Sequence, residues 1–347
     1  MKTKLRKKHL TPRKAGNILI RLLVVVITIV FLYDQLFYRE DLSLLLNDFK
    51  SIASGFWSDF ILITVLMLLP VNILIESIKW KYLISKIEKV SLWNSIKAVF
   101  AGISVSMIMP NRVGDYLGRV FILQKADRIQ AVLSTILGSF AQLLTTLILG
   151  LIASIFYFPE YFDIGVRLNF WMYIGFIMVT ITAATTMVLA YLNFSVFSII
   201  LQRISGKYYN KIEKYAEVFS WYNQRELLNV LVLSLLRYAV FSFQFFLLLR
   251  LFNVGIDYFE AMMLIAIIYF LMTIIPTIAL TEIGVRGSVS LYVFQHHLEI
   301  QGLWNTELAV SVVSTSSLLW LFNLVIPAVV GALFVFSLKF FRKNNDS

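Results

Sequence analysis

Met107-Ile-Met-Pro-Asn-Arg-Val-Gly-Asp-Tyr-Leu-Gly-Arg119 and, far downstream, Thr273-Ile-Ile-Pro-Thr-Ile-Ala-Leu-Thr-Glu-Ile-Gly-Val-Arg286 share one grammar. In each, a proline is followed five or six residues later by an acid, and an arginine stands four beyond the acid. Pro110 and Pro276 each lack a backbone donor and should end an incoming helix. Asp115 with Arg119, and Glu282 with Arg286, then fall at i,i+4 on one face of the outgoing helix, where they can pair. Both stretches lie inside apolar segments, Trp93–Arg119 and Tyr258–Phe294. Such broken apolar segments in corresponding positions of two halves are the sequence mark of a midplane site in an inverted-repeat membrane protein.

The rest of the chain fits that setting. Of 347 residues, 59% are hydrophobic and 15% charged, and mean hydropathy is +0.80, outside the range of soluble domains. Runs such as Ile18–Phe31, Val132–Ile155 and Ser311–Leu338 suit spanning helices, since about 20 residues cross about 30 Å of hydrocarbon. They do not alternate as barrel strands would. The net charge of +11 sits in juxtamembrane blocks, the pattern that encodes orientation and contact with anionic lipid at the cytoplasmic face rather than nucleic-acid binding. With no cysteine, disulfides, thiolate catalysis and cysteine-held metals are excluded. The first run has no small-x-small cleavage site and reads as a retained span.

Eight basic residues and no acid stand between Met1 and Arg21, which places the N-terminus in the cytoplasm. Lys339, Arg342 and Lys343 place the C-terminus there too. Lys79 to Lys97 and Arg203 to Arg225 form basic inner connections, whereas those holding Glu40 and Asp48, Glu160 and Asp163, Asp257 and Glu260, and Glu299 and Glu307 are acidic and belong outside. The expected fold is all-α and polytopic: six full spans near Ile18–Phe37, Phe60–Lys79, Gln130–Phe158, Phe170–Leu192, Asn229–Leu251 and Leu308–Leu338. Two oppositely inserted re-entrant helical hairpins complete a pseudo-symmetric inverted repeat. A basic tail (1–17) precedes one transmembrane domain (18–338), with hairpins at about 93–128 and 258–297 and a cytoplasmic insert at about 202–228, and a short tail (339–347) follows. Within the insert, Ile212, Tyr215, Phe219 and Tyr222 recur at helical spacing opposite Lys211, Glu213, Lys214 and Glu217, as in an interfacial amphipathic helix or a plain linker helix.

A charged side chain near the bilayer centre costs about 2.5–3.5 kcal/mol on insertion scales, far more than an exposed i,i+4 pair returns. Two readings follow. The charges line a polar cavity, or they form buried pairs at a helix junction with nothing bound. In the cavity reading Asn111 and Thr281 cap the outgoing helices, and two positive helix ends with Arg112, Arg119 and Arg286 face a place where phosphate sits. Gly114 and Gly118 form a GxxxG that admits close approach. Glu76, sharing a face with Asn72, either lines a path or snorkels beside Lys79. Arg237, mid-run with Gln244 two turns on, faces the interior. Gln142 and Asn323 read as helix-to-helix hydrogen-bonding residues; Trp80, Tyr82 and Trp93 as interfacial belt residues; and His296 and His297 as solvated outer-face histidines, not metal ligands. No nucleotide-binding or catalytic-triad motif is present, so neither metal nor cofactor is expected.

Glu76-Ser-Ile-Lys-Trp-Lys-Tyr-Leu-Ile84, Gly102 and the run Pro110 to Arg119 resemble the R/K-W…G…P-G-R-x-G-E/D…R pattern of the transmembrane region of lysylphosphatidylglycerol synthetases, and Pro276 through Glu282 to Arg286 resembles that family's second proline-acid motif. The likeness runs from about Leu22 to Leu338. In the multiple-peptide-resistance members, this region moves aminoacylated phosphatidylglycerol between leaflets and a separate cytoplasmic domain makes it. The resemblance carries motif roles to Pro110, Arg112, Gly114, Asp115, Arg119, Glu282 and Arg286; Asn111 departs from it, standing where glycine is common. A short tail replaces the aminoacyl-transferase domain, so lysyl transfer is not expected of this chain. The expectation is a lipid translocase of the bacterial inner membrane, acting on a phospholipid or lipid-phosphate headgroup and with room for a separate synthetase or transferase as partner. The alternatives are a membrane subunit of lipid aminoacylation or lipid-linked glycosyl transfer, and a scaffold for a synthetase.

Overall fold

The structure, a computed structural model, describes residues 55–107, 109, 113–161, 170–205, 209–276 and 279–335. The expected first span Ile18–Phe37, both tails, and Pro110, Asn111 and Arg112 lie outside these. The described residues form helices and no strand. In chain order these are α1 (Phe56–Ile84), α2 (Leu92–Ser106), α3 (Gly114–Val120), α4 (Arg128–Tyr161), α5 (Phe170–Leu192), α6 (Ser195–Ser205) and α7 (Tyr209–Ala216). A 3-10 turn (Glu217–Ser220) leads to α8 (Gln224–Leu251), α9 (Tyr258–Ile274), α10 (Ala279–Ile300), α11 (Thr306–Trp320), a π turn (Leu321–Val325) and α12 (Ile326–Val335). Five helical units are long and apolar enough to cross a membrane: α1, α4, α5, α8 and the run from α11 through α12. They match the second to sixth expected spans. The chain is therefore a multi-pass helical membrane protein.

Local chemistry sets the helix starts. Ser91 accepts from the Asn94 N–H ahead of α2, Asp257 from Phe259 ahead of α9 and Asn305 from Leu308 ahead of α11. Asn223 and Glu226 form a reciprocal capping box on α8. Helix α5 buries only Thr180 and Tyr191 of its side chains, as a span coated by lipid chains can.

Both apolar segments are helix, break, helix. Helix α2 ends at Ser106 and α3 starts at Gly114. The two run antiparallel in contact because Gly102 and Gly118 lack side chains: a Cβ on Gly118 would stand 2.6 Å from the Gly102 Cα. Helix α9 ends at Ile274, just before Pro276, as the proline demands. The capping expectation differs from the outcome: Val113 precedes α3, and Thr281 is the third residue of α10. Thr281 thus does not cap α10, and Asn111 lies outside the described residues.

The main core joins α8, α9, α10 and α11 through Phe245, Leu248, Leu264, Ile268, Phe294 and Leu319. Beside it, Met107 and Ile103 of the first hairpin and Ile283 of the second share a smaller cluster with Trp320, Leu324, Val325 and Ala328. The end of α2 and the first turns of α10 thus both pack on the last span near its π turn. Helix α2 also lies directly on α12, where Gly331 admits the Phe100 carbonyl and the Ser104 hydroxyl donates to the Ala328 carbonyl.

The basic connections gather at one end, where Lys86 pairs with Glu226 and Lys214 with Asp127, both at 2.6 Å. At the other end the connections after α8 and α10 line a shared open pocket of about 820 Å³, with Asn253, Gly255, Asn305 and Glu307 in its wall.

Candidate functional site

One carboxylate organises the interior. Glu76 of α1 is 4% exposed and touches three cations from three helices. Lys79 Nζ is 2.8 Å from it, Arg119 of α3 donates at 2.6 Å and Arg237 of α8 lies at 3.1 Å. Arg119 also forks onto Asp115, its Nε donating at 2.8 Å, the bidentate geometry a guanidinium favours. Asn72, one turn before Glu76, accepts from Arg237 Nε at 2.8 Å and donates to Asn323 of the π turn at 3.2 Å. Lys79 reaches the Ser234 hydroxyl at 3.5 Å. A π turn opens the backbone ladder locally and often marks a functional position; this one sets Asn323 beside Asn72.

The cluster thus ties the outgoing arm of the first hairpin to α1, α8 and the last span. Gly102 makes it reachable, because a Cβ there would stand 2.9 Å from the Arg119 Cγ. Gly114 likewise abuts the Val105 carbonyl.

The second hairpin holds its own pair. Glu282, 4% exposed, accepts from Arg286 at 2.9 Å. Tyr269 of α9, in electrostatic range of Arg286, donates to the Phe241 carbonyl of α8 at 3.3 Å. The Arg237 guanidinium covers the Phe241 ring, 5.0 Å from its centroid. Arg119 and Arg286 therefore occupy two polar groups connected through α8. Asp115, Arg119, Glu282, Arg286, Arg237 and Glu76 all stand in these groups; Gly114 packs behind the first; Pro276 is exposed at the second break. Pro110, Asn111 and Arg112 are outside the described residues.

Sequence reading missed Lys79 and Ser234 as site residues and undervalued Asn72 and Asn323. Their signal was polarity at helical spacing from Glu76 within apolar runs. Three other expectations change. Trp80 is 1% exposed and donates to Thr135 at 3.1 Å, so it is a core residue, not an interfacial one. Glu76 is ion-paired inside the protein, not snorkelling. His297 is 2% exposed beside Gln301, buried rather than solvated. Among the described residues no His, Cys, Asp and Glu group has the arrangement of a metal site.

A family model described as the lysylphosphatidylglycerol synthase TM region matches residues 18–296, more than half of the chain. No curated protein matches the chain, and no solved structure does.

Proposed function

Because this chain belongs to the lysylphosphatidylglycerol synthase transmembrane-region family, a membrane family related to lipid aminoacylation and lipid flipping, we propose that it is a lipid translocase without an energy source of its own. Its substrate is a phospholipid such as aminoacyl-phosphatidylglycerol, or another lipid carrying a phosphate headgroup. The observation that carries this reading is the buried cluster of Glu76, Lys79, Asp115, Arg119 and Arg237 amid apolar spans, with one wall supplied by a broken hairpin. Ionisable groups at that depth are costly and are kept for function. Among the described members, three are cations and two are carboxylates, so the field favours an anion.

In this mechanism the headgroup phosphate exchanges for a carboxylate partner of Arg119 or Arg237, Asp115 being the more exposed carboxylate, with 19% of its side chain accessible. Acyl chains stay in the bilayer beside the hairpins. In this reading the two hairpins enter from opposite faces, the first from the cytoplasm, and the π turn on which the end of α2 and the start of α10 pack lies near the midplane. The setting is a bacterial inner membrane with the basic connections, and both termini, cytoplasmic.

Proteoliposomes carrying the full chain should equilibrate leaflet-labelled phosphatidylglycerol or its aminoacyl ester several-fold faster than protein-free vesicles, and E76Q protein should not. Equal rates for all three lipid classes, polyprenyl phosphate included, with and without protein would remove the translocase reading. A role in synthesis predicts instead that a deletion strain lacks a modified lipid altogether.

A further inference from the structure

Away from the Glu76 cluster, the Tyr238 and Ser242 hydroxyls and the Nε–H of Arg286 are buried without a hydrogen-bond partner. Tyr238 and Ser242 are one turn apart on α8 and are 8% and 3% exposed. Their hydroxyls face each other without a well-formed bond between them. Tyr269 of α9 lies near both Tyr238 and Arg286. Its ring meets that of Tyr238 edge-on at 5.7 Å, and Arg286 is within its electrostatic range. Arg286 engages Glu282 through one terminal nitrogen, at 2.9 Å. Buried donors in native folds are normally satisfied, so a group of unmet donors calls for a missing acceptor.

We propose that Arg286 Nε, Tyr238 and Ser242 form a second phosphate station, separate from the Glu76 cluster, which holds the phosphodiester of the lipid headgroup in passage; this rests on the translocase reading. A phosphodiester monoanion has two non-bridging oxygens. One accepts from the guanidinium Nε–H and the other from the Tyr238 hydroxyl, with Ser242 donating in support. Arg286 is already matched in charge by Glu282, so this station grips less strongly than the first, where cations predominate. A path conducts when its sites bind well enough to be entered and loosely enough to be left. The two stations share α8: Arg237 belongs to the first and Tyr238, the next residue, to the second. Transfer is a step around one helix, with the stacked Arg237 and Phe241 between.

Native mass spectrometry of the full chain, released from vesicles of phosphatidylglycerol and phosphatidylcholine with matched chains, reads the stations directly. The wild type should retain two phosphatidylglycerols in preference to phosphatidylcholine. R286Q should reduce retention of the second about tenfold, and Y238F, which keeps the ring and so the packing, about threefold. R286K should fall between R286Q and wild type. Y238F and R286Q that both hold two phosphatidylglycerols as wild type does would overturn the station. Wild type that exchanges lipid between leaflets yet retains only one phosphatidylglycerol would overturn it too, leaving translocation standing. Wild type that neither exchanges nor retains phosphatidylglycerol, aminoacyl ester or polyprenyl phosphate overturns both. Displacement of the second lipid by free glycerophosphate would assign the station to a soluble phosphate and overturn the lipid assignment.

Discussion

Glu76 is the side chain on which most of the interior polarity converges, and its replacement tests the site most sharply. Removing its charge leaves Lys79, Arg119 and Arg237 facing one another without their shared carboxylate. Breaking a buried pair from one side costs about 3–5 kcal/mol because the partner charge stays buried. E76Q should therefore lower the unfolding midpoint of detergent-solubilised protein by several degrees and abolish lipid exchange. D115N, which removes one partner of Arg119 at a more exposed position, should cost clearly less. A midpoint for E76Q equal to that of D115N would contradict the hub role. The residue itself was legible as an intramembrane acid, but its depth was not. Lys79 and Lys81 mimic the end of a span, whereas the helix continues to Ile84 and keeps both Glu76 and Lys79 inside.

The two helix, break, helix segments were legible as elements because Pro276 and the acid-to-arginine spacing act locally. Their partners were not, since the contact of α2 with α12 depends on Gly331 admitting Phe100 and Ser104, more than two hundred residues earlier in the chain. Gly118 and Gly331 each face backbone where a methyl group does not fit, and overpacking of this kind costs about 1–3 kcal/mol. G118A and G331A should each reduce thermal stability and slow exchange. G175A on α5, where an added Cβ meets nothing within 4 Å, should change neither; equal effects of the three would refute the packing argument. In the connection after α6, Phe219 and Tyr222 are buried and Lys214 faces outward. It is fastened by Asp127, which accepts from Lys214 Nζ at 2.6 Å and from the Ile129 N–H. Partial burial pushes the Asp127 carboxyl up, but the hydrogen bonds from Lys214, Ile129 and Gln130 outweigh it and hold it below the ordinary carboxylate value. A lowered folded value means the fastening is present above the unfolded value of about 3.9 and lost as pH falls through the folded one. Amide exchange in Lys214–Ser220, relative to an unstructured reference at each pH, should be protected at neutral pH and rise below about pH 4. D127N should show that rise already at neutral pH, and an unchanged exchange pattern would reject the fastening.

At the scale of the molecule, charge and connectivity argue for the same topology by separate routes. The positive-inside rule needs only the sequence, while the described helices independently bring the basic connections to one end and Asn253, Asn305 and Glu307 to the other. A helix order that disagreed with the charge pattern would have mixed the two. The first apolar run, Ile18–Phe37, lies outside the described residues, so the parity of crossings has to be tested in the membrane. The chain has no cysteine, and every introduced thiol therefore reports without background. In intact cells, a membrane-impermeant maleimide should label Glu299→Cys and Glu307→Cys, both exposed and at the acidic end. Lys89→Cys and Lys214→Cys should be labelled only after permeabilisation, as should a cysteine appended after Ser347. Because α2 and α3 run antiparallel in contact, Lys89 and Lys125 must share a side if the first hairpin is re-entrant. Opposite labelling of those two positions would make the first hairpin a full crossing, reverse every later span and separate the breaks from a common depth.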